Sequence, residues 1–159
     1  MNTNDLTRKI IGAAMKVHSA LGPGLLESVY HACLVHELAK VGMRLESNIP
    51  LAVLYDGVKM GVGFRLDMLV EDTAVLELKA VEAVLPVHKS QLLSYLRLSG
   101  KPVGLLINFN VCHLKDGIHR LINSSGSPQR TPAASAAPAL CSPPIPLHPP
   151  GAAWTAAAP

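Results

Sequence analysis

No apolar run in this 159-residue chain approaches the about 20 residues that a membrane helix needs. That holds although 49% of its residues are hydrophobic and its mean hydropathy is +0.31. The polar start, Met1-Asn-Thr-Asn-Asp-Leu-Thr7, lacks the apolar core of a signal peptide. Together these absences point to a soluble cytoplasmic protein with no membrane partner. Cysteine is scarce: Cys33, Cys112 and Cys141 are odd in number, widely spaced and outside any CxxC pattern. That argues against a disulfide framework and against a cysteine-built zinc site. His18, His31, His36, His88, His113 and His119 form no HExxH motif. The phosphate-binding GxxxxGK, the dinucleotide-binding GxGxxG and the nucleophile elbow GxSxG are all missing, so P-loop hydrolysis and serine hydrolase chemistry have no support. Aromatic residues make up 4% of the chain, which leaves few rings to stack on single-stranded bases. Charge is modest as well. The chain carries +3, and Arg130 is the one full charge after Asn123, leaving 13 basic against 11 acidic side chains before it. Such a balance permits binding to nucleic acid through a local patch without arguing for it.

What is present reads as one domain followed by a tail. Leu6, Ile10, Ala13, Ala14, Val17 and Leu21 recur at helical spacing, predicting a helix over 4–20 that Gly22-Pro23-Gly24 ends. A second helix is expected from Leu25 to Val41, with Gly42 as its stop. Its apolar stripe is read as Leu26, Val29, Cys33, Leu34, Leu38 and Val41, with Glu27, Tyr30 and His31 beside it; Cys33 is then a small buried hydrophobe. Leu51–Tyr55 is a strand, and Asp56-Gly57 is a strong two-residue hairpin signal. The return strand runs from Val58 to Val70. Strand alternation puts Phe64, Leu66, Met68 and Val70 on one face and Arg65, Asp67 and Leu69 on the other. Glu71-Asp72-Thr73 turns the chain into Val75–Val81, completing an antiparallel meander. After Pro86 a helical pattern covers Val87–Ser99, with Leu92, Leu93, Leu96 and Leu98 apolar and Gly100 closing it. Pro102–Phe109 is continuous and apolar, as in a strand buried on both faces, and a last short strand is expected over Gly117–Ile122. The order is α-α-β-β-β-α-β-(β), an α/β fold with a mixed sheet flanked by helices. Residues 1–123 form the domain; residues 124–159, rich in Ala and Pro and holding an isolated Trp154, are expected to be disordered.

Polar groups stand where apolar residues would have been easier. Glu77 and Lys79 share one face of an otherwise apolar strand, and unpaired buried charge is costly. Asp67 lies on the preceding strand, joined by a short turn, so its carboxylate is expected to converge with that of Glu77. Glu27 comes from the second helix; Gln91 and Tyr95, four apart, lie on one side of the third. Hard oxygen ligands of this kind suit Mg2+ or Mn2+, which binds through one or two carboxylates and keeps several waters. Asp67, Glu77 and Glu27 are the candidate metal ligands. Lys79 is placed to orient a water or offset charge on a phosphate, Gln91 to hold Lys79 or a phosphate oxygen, and Tyr95 to support it. His88, three residues before Gln91, is a candidate phosphate contact or a helix-start hydrogen bond. Each piece has a plain structural reading. A Glu-x-Lys pair is usually a solvated strand face, Asp67 can pair with Arg65 or Lys79, and Glu27 suits a helix start.

Gly24-Leu-Leu-Glu-Ser-Val-Tyr30 reads as G-x-x-E-x-x-Y, and the chain resembles the small GxxExxY proteins of the PD-(D/E)XK nuclease superfamily. LGPGLLESVY, GFRLDMLVED, LELKAVE, PVHKSQLLSYL and VGLLINFN carry the resemblance, over roughly residues 4–123. It implies a restriction-endonuclease-like α-β-β-β-α-β core. Asp67 and Glu77 are then metal ligands, Leu66 stands at the motif's proline, and Lys79 is the catalytic lysine. Glu27 matches a helix acid, and Gln91 with Tyr95 resembles a Q-x-x-x-Y element. The function so implied is a metal-dependent nuclease acting on nucleic acid, with DNA favoured. A homodimer is compatible with it. The rivals are a non-catalytic module that keeps the fold to bind nucleic acid or protein, and a structural protein in which Glu77–Lys79 and Asp67–Arg65 are interface salt bridges.

Overall fold

Helix α1 (Thr3–Leu21) starts where the side chain of Asn2 accepts the Asp5 N–H at 2.8 Å, satisfying one of the free donors of a helix start. It ends at Gly22, whose φ of 68° with a ψ of −174° is a conformation that glycine takes without strain. A computed structural model of the chain describes residues 2–124. The segment expected to be disordered, with Cys141 and Trp154, lies outside the described residues apart from Ser124. Among the described residues no helix is long and apolar enough to cross a membrane.

The order continues as α2 (Glu27–Lys40), β1 (Leu45–Tyr55), β2 (Val58–Val70), β3 (Ala74–Lys79), α3 (Pro86–Ser99), β4 (Val103–Asn108), a 3-10 turn (Leu114–Gly117) and β5 (Ile118–Ile122). The five strands form one sheet in chain order. β3 and β4 pair in parallel, as the intervening α3 crossover requires, and the other neighbours are antiparallel. One core joins α1 and α2 to one face of the sheet through Leu6, Ile10, Leu34, Leu38, Met68 and Leu76. A smaller one joins α3 to the other face through Leu66, Leu69, Val75, Leu92, Tyr95 and Leu106. Every residue of β4 is buried, as its unbroken apolar run foretold.

Three expectations are corrected. β1 begins at Leu45 rather than Leu51, and Pro50 sits inside it, tolerated because β1 is an edge strand. The buried row of α2 is Tyr30, Leu34 and Leu38, whereas Leu26, Val29 and Val41 are exposed. Tyr30 sets that phase by stacking on Phe109, ring centroids 4.5 Å apart. Finally, Phe64, Leu66, Met68 and Val70 do not share a face. Leu66 packs under α3 and Phe64 lies against Tyr95, while Met68 and Val70 pack under α1 and α2. The alternation slips at Asp67. The ladder with β1 holds Ser47↔Met68 and Ile49↔Leu66 but skips Asn48 opposite Asp67, and Asn48 takes a φ of 56°.

Candidate active site

The turn between β2 and β3 brings the two strand acids together. Glu71 and Asp72 both have positive φ, 52° and 50°, which matches the twist of a tight hairpin. Pairing runs back through Val70↔Ala74 and Leu69↔Val75 to Met68↔Leu76, where it stops. Asp67 and Glu77 are the next residues on the two strands, so they face each other where the ladder opens. An opened ladder leaves backbone groups without partners. Asp67 answers this with its side chain: Oδ2 accepts the Leu78 N–H at 2.9 Å. Its backbone carbonyl accepts from His31 Nε2 at 3.2 Å, which ties β2 to α2. Asp67 makes no ion pair with Arg65.

Glu77 is 2% exposed, so its carboxylate is not on a solvated strand face. Oε1 accepts from Lys79 Nζ at 2.7 Å, whereas Oε2 is buried with no hydrogen-bond partner. Burial pushes the Glu77 carboxyl above its usual range; the Lys79 hydrogen bond opposes this, and the charge of Asp67 adds to it. Burial acts to lower Lys79, but the hydrogen bond and charge of Glu77, with the charges of Glu27 and Asp67, outweigh it and hold Lys79 above its usual value. The ammonium is therefore kept protonated amid three acids.

Glu27 reaches this cluster through the G-x-x-E-x-x-Y segment. Gly24 has a φ of 97°, which lets the chain turn between α1 and α2. The Tyr30 hydroxyl donates to the Gly22 carbonyl at 2.7 Å and accepts the Leu25 N–H at 3.1 Å, pinning that turn. Glu27 is then the first residue of α2. Loss of hydration at its carboxyl end raises its pKa, Lys79 opposes that and Asp67 reinforces it. Although Glu27 is exposed as a residue, it lines a cavity of about 250 Å³ with Ser28, His31, Asn48, Asp67 and Leu78. Tyr30→Phe is expected to cost about 1–3 kcal/mol, because a buried hydroxyl that serves two backbone groups is lost. Urea denaturation checks this: the midpoint should fall at an unchanged slope.

Helix α3 supplies Gln91 and Tyr95. Gln91 Nε2 donates to the Tyr95 hydroxyl, as their four-residue spacing allows. Tyr95 is 3% exposed, and burial, with the charges of Glu77 and Asp67, raises its pKa. Gln91 makes no hydrogen bond to Lys79; its side-chain bond goes to Tyr95. His88 stands at the helix start, where Nδ1 accepts the Leu85 N–H at 3.2 Å, and no contact joins it to the acids.

Two further residues support the cluster and carry little signal in the sequence. His31 holds the Asp67 carbonyl from a helix whose assumed stripe left it to one side. Asn108 is 1% exposed and bonds both backbone groups of Val81, just beyond Lys79; its one signal was a lone amide ending an apolar strand.

Among the described residues no three Asp, Glu, His or Cys side chains form a closed metal cage. The site still fits a hard divalent cation. It offers carboxylate oxygens on facing strand positions, and Glu77 Oε2 is a buried acceptor with nothing to accept from. Mg2+ needs only one or two carboxylates beside water and substrate oxygens. A family model described as the PD-(D/E)XK nuclease superfamily matches residues 4–121, well over half of the chain. No curated protein and no solved structure matches.

Proposed function

This chain belongs to the PD-(D/E)XK nuclease superfamily, and we propose that it hydrolyses phosphodiester bonds of nucleic acid, DNA first, with Mg2+ or Mn2+ held by Asp67 and Glu77. The observation that carries this reading is the buried Glu77 carboxylate with Oε2 unpartnered, facing Asp67 where the β2–β3 ladder opens. Glu27 extends the site from α2. A divalent ion bound there supplies a Lewis acid for a phosphoryl oxygen and a water of lowered pKa. The chain's own residues do the rest. Lys79, held protonated by its acid neighbours, offsets charge that develops on the phosphate. Asp67 keeps β3 in place through Leu78 while presenting its other oxygen. Gln91 and Tyr95 bound the site on the α3 side. Dimerisation would set two such sites against the two strands of a duplex.

Calorimetry of the full chain with Mn2+ tests the reading. The wild type should bind, and Asp67→Ala should lose that binding. Oligonucleotide cleavage in Mn2+ should vanish with it. No binding, with or without an oligonucleotide to supply phosphate, would overturn the proposal. Two observations favour a second reading, a module that keeps the fold and binds without cutting: Glu77 Oε1 is already taken by Lys79, and no closed cage forms among the described residues. That reading expects oligonucleotide binding indifferent to Mn2+ and to Asp67→Ala.

A further inference from the structure

We infer that the β1–β2 hairpin is a guide for single-stranded nucleic acid, with Phe64 stacking on a base and Lys59 and Arg65 taking phosphates; this rests on the nuclease reading for its placement beside a reactive centre. The chain is poor in aromatics, and most of those described are spent in the interior: Tyr30 and Phe109 stack in the main core and Tyr95 is buried under α3. Phe64 and Tyr55 are different. They are 44% and 73% exposed, and both belong to the hairpin. Both rings are therefore open to a ligand, and Phe64 does not stand alone, because it lines a cavity with two cations.

Phe64 is also continuous with the candidate site. Its ring lies against that of Tyr95, centroids 5.3 Å apart and tilted by 56°. Tyr95 in turn holds Gln91 and feels the charges of Glu77, Asp67 and Lys79. The slip in alternation at Asp67 is what puts Phe64 on this side of the sheet. A base resting on Phe64 would lie three residues along β2 from Asp67, which faces Glu77 of β3.

The hairpin carries the matching charge. A cavity of about 340 Å³ over it is lined by Phe64, Lys59, Arg65, Leu51 and Met60 among others, and by no acidic residue. Its size falls within the about 300–1,000 Å³ usual for small-molecule sites. The side chains of Lys59 and Arg65 make no hydrogen bond or ion pair with any described residue, unlike those of Lys79, Lys40 and Lys101, each of which is paired. Asp56, the acid of the turn, does not line the cavity. Gly63 keeps the two strands close there, since a Cβ on it would come 2.5 Å from the Leu51 carbonyl oxygen. Two free cations beside an exposed ring and an apolar wall match a strand that offers phosphates and unpaired bases. A duplex hides its base faces and would find no use for Phe64.

The test uses the full chain, a fluorescent oligodeoxythymidylate and a duplex of the same length, with anisotropy read in EDTA over a range of salt. The expected result is tighter binding of the single strand. Phe64→Ala should weaken it about tenfold with an unchanged salt slope, and Phe64→Tyr should restore it. Lys59→Gln with Arg65→Gln should flatten the slope by about 1–2 units. Thermal melting of each variant separates lost contact from lost fold, and Phe64→Tyr keeps the ring against Tyr95. Strand binding unchanged in Phe64→Ala, preference for the duplex, or a dimer that Phe64→Ala dissolves would each overturn the inference. Its fate is separable from that of the nuclease. A wild type that binds the strand through Phe64 but cuts nothing in Mn2+ sinks the enzyme and keeps the guide. A wild type that cuts, with hairpin variants that bind and cut equally well, does the reverse.

Discussion

Lys79→Met is expected to lower cleavage by about 10²–10³, the range found when one donor aimed at developing charge is removed. Oligonucleotide binding should survive, since the hairpin cations are elsewhere. The same change has a stability signature that an exposed lysine would not give. Glu77 is 2% exposed and Lys79 Nζ is the one partner of its carboxylate. Removing that partner strands a buried charge, which costs about 3–5 kcal/mol in a fully buried pair. The Lys79 side chain keeps 17% of its exposure, so water relieves part of this and about 2–3 kcal/mol is expected.

The pH dependence of that loss follows from the direction of the Glu77 shift. Its folded pKa already lies above 4.5, mainly through burial, and losing Lys79 removes the hydrogen bond that opposes burial. The folded state then holds a proton that the unfolded state has released, so stability falls as pH rises from the unfolded value through the folded one. The deficit of Lys79→Met should be small near about pH 5 and largest near about pH 8. In the wild type, Lys79 has a raised pKa, so its own contribution is complete below 10.5 and fades only as pH climbs through the higher folded value. Urea denaturation in EDTA at the two pH values checks this. Glu77→Gln added to Lys79→Met should recover most of the stability and none of the cleavage. A single variant as stable as wild type at the higher pH would mean that Glu77 is not buried against Lys79 as described.

How much of this was readable beforehand follows from the range of the forces involved. The convergence of Asp67 with Glu77 was readable because a short turn leaves two strands little choice of partner, and Glu77 with Lys79 because strand alternation is local. The phase of α2 was not. Leu26, Val29 and Val41 are as apolar as Leu34 and Leu38, and the choice fell to Tyr30, whose ring found Phe109 some eighty positions away in the chain. The slip at Asp67 was hidden for the same reason. Phe64, Leu66, Met68 and Val70 alternate faultlessly in sequence, and the break comes from strand partners, with Asn48 left out of the ladder opposite Asp67. His31 belongs to no zinc motif, and its bond to the Asp67 carbonyl joins residues 36 apart, so nothing local marks it. His88 was offered two roles, and its contact to the Leu85 N–H is the local one.

Asn108 is the residue whose role was least legible, and Asn108→Ala is expected to cost about 3–4 kcal/mol. It ends an apolar strand, pairs in register with Lys79 and is 1% exposed. β3 ends at Lys79, so the chain beyond it has no ladder of its own. The Asn108 amide stands in for one. Oδ1 accepts the Val81 N–H at 3.1 Å and the Asn110 N–H at 3.2 Å, while Nδ2 donates to the Val81 carbonyl at 2.8 Å. Alanine would leave those part-buried backbone groups unserved, each at about 1 kcal/mol. Asn108→Asp keeps the acceptor but loses the donor and adds a buried charge, so it should be no better than alanine. The effect should reach Lys79, because the clamp closes two residues beyond it and Phe109 N–H bonds the Lys79 carbonyl at 2.8 Å. Hydrogen exchange gives the local readout: the amides of Val81 and Asn110 should lose protection beyond what the fall in global stability explains. A variant within about 0.5 kcal/mol of wild type, with both amides still protected, would show that the strand end holds itself and that Lys79 owes its position to Glu77 alone.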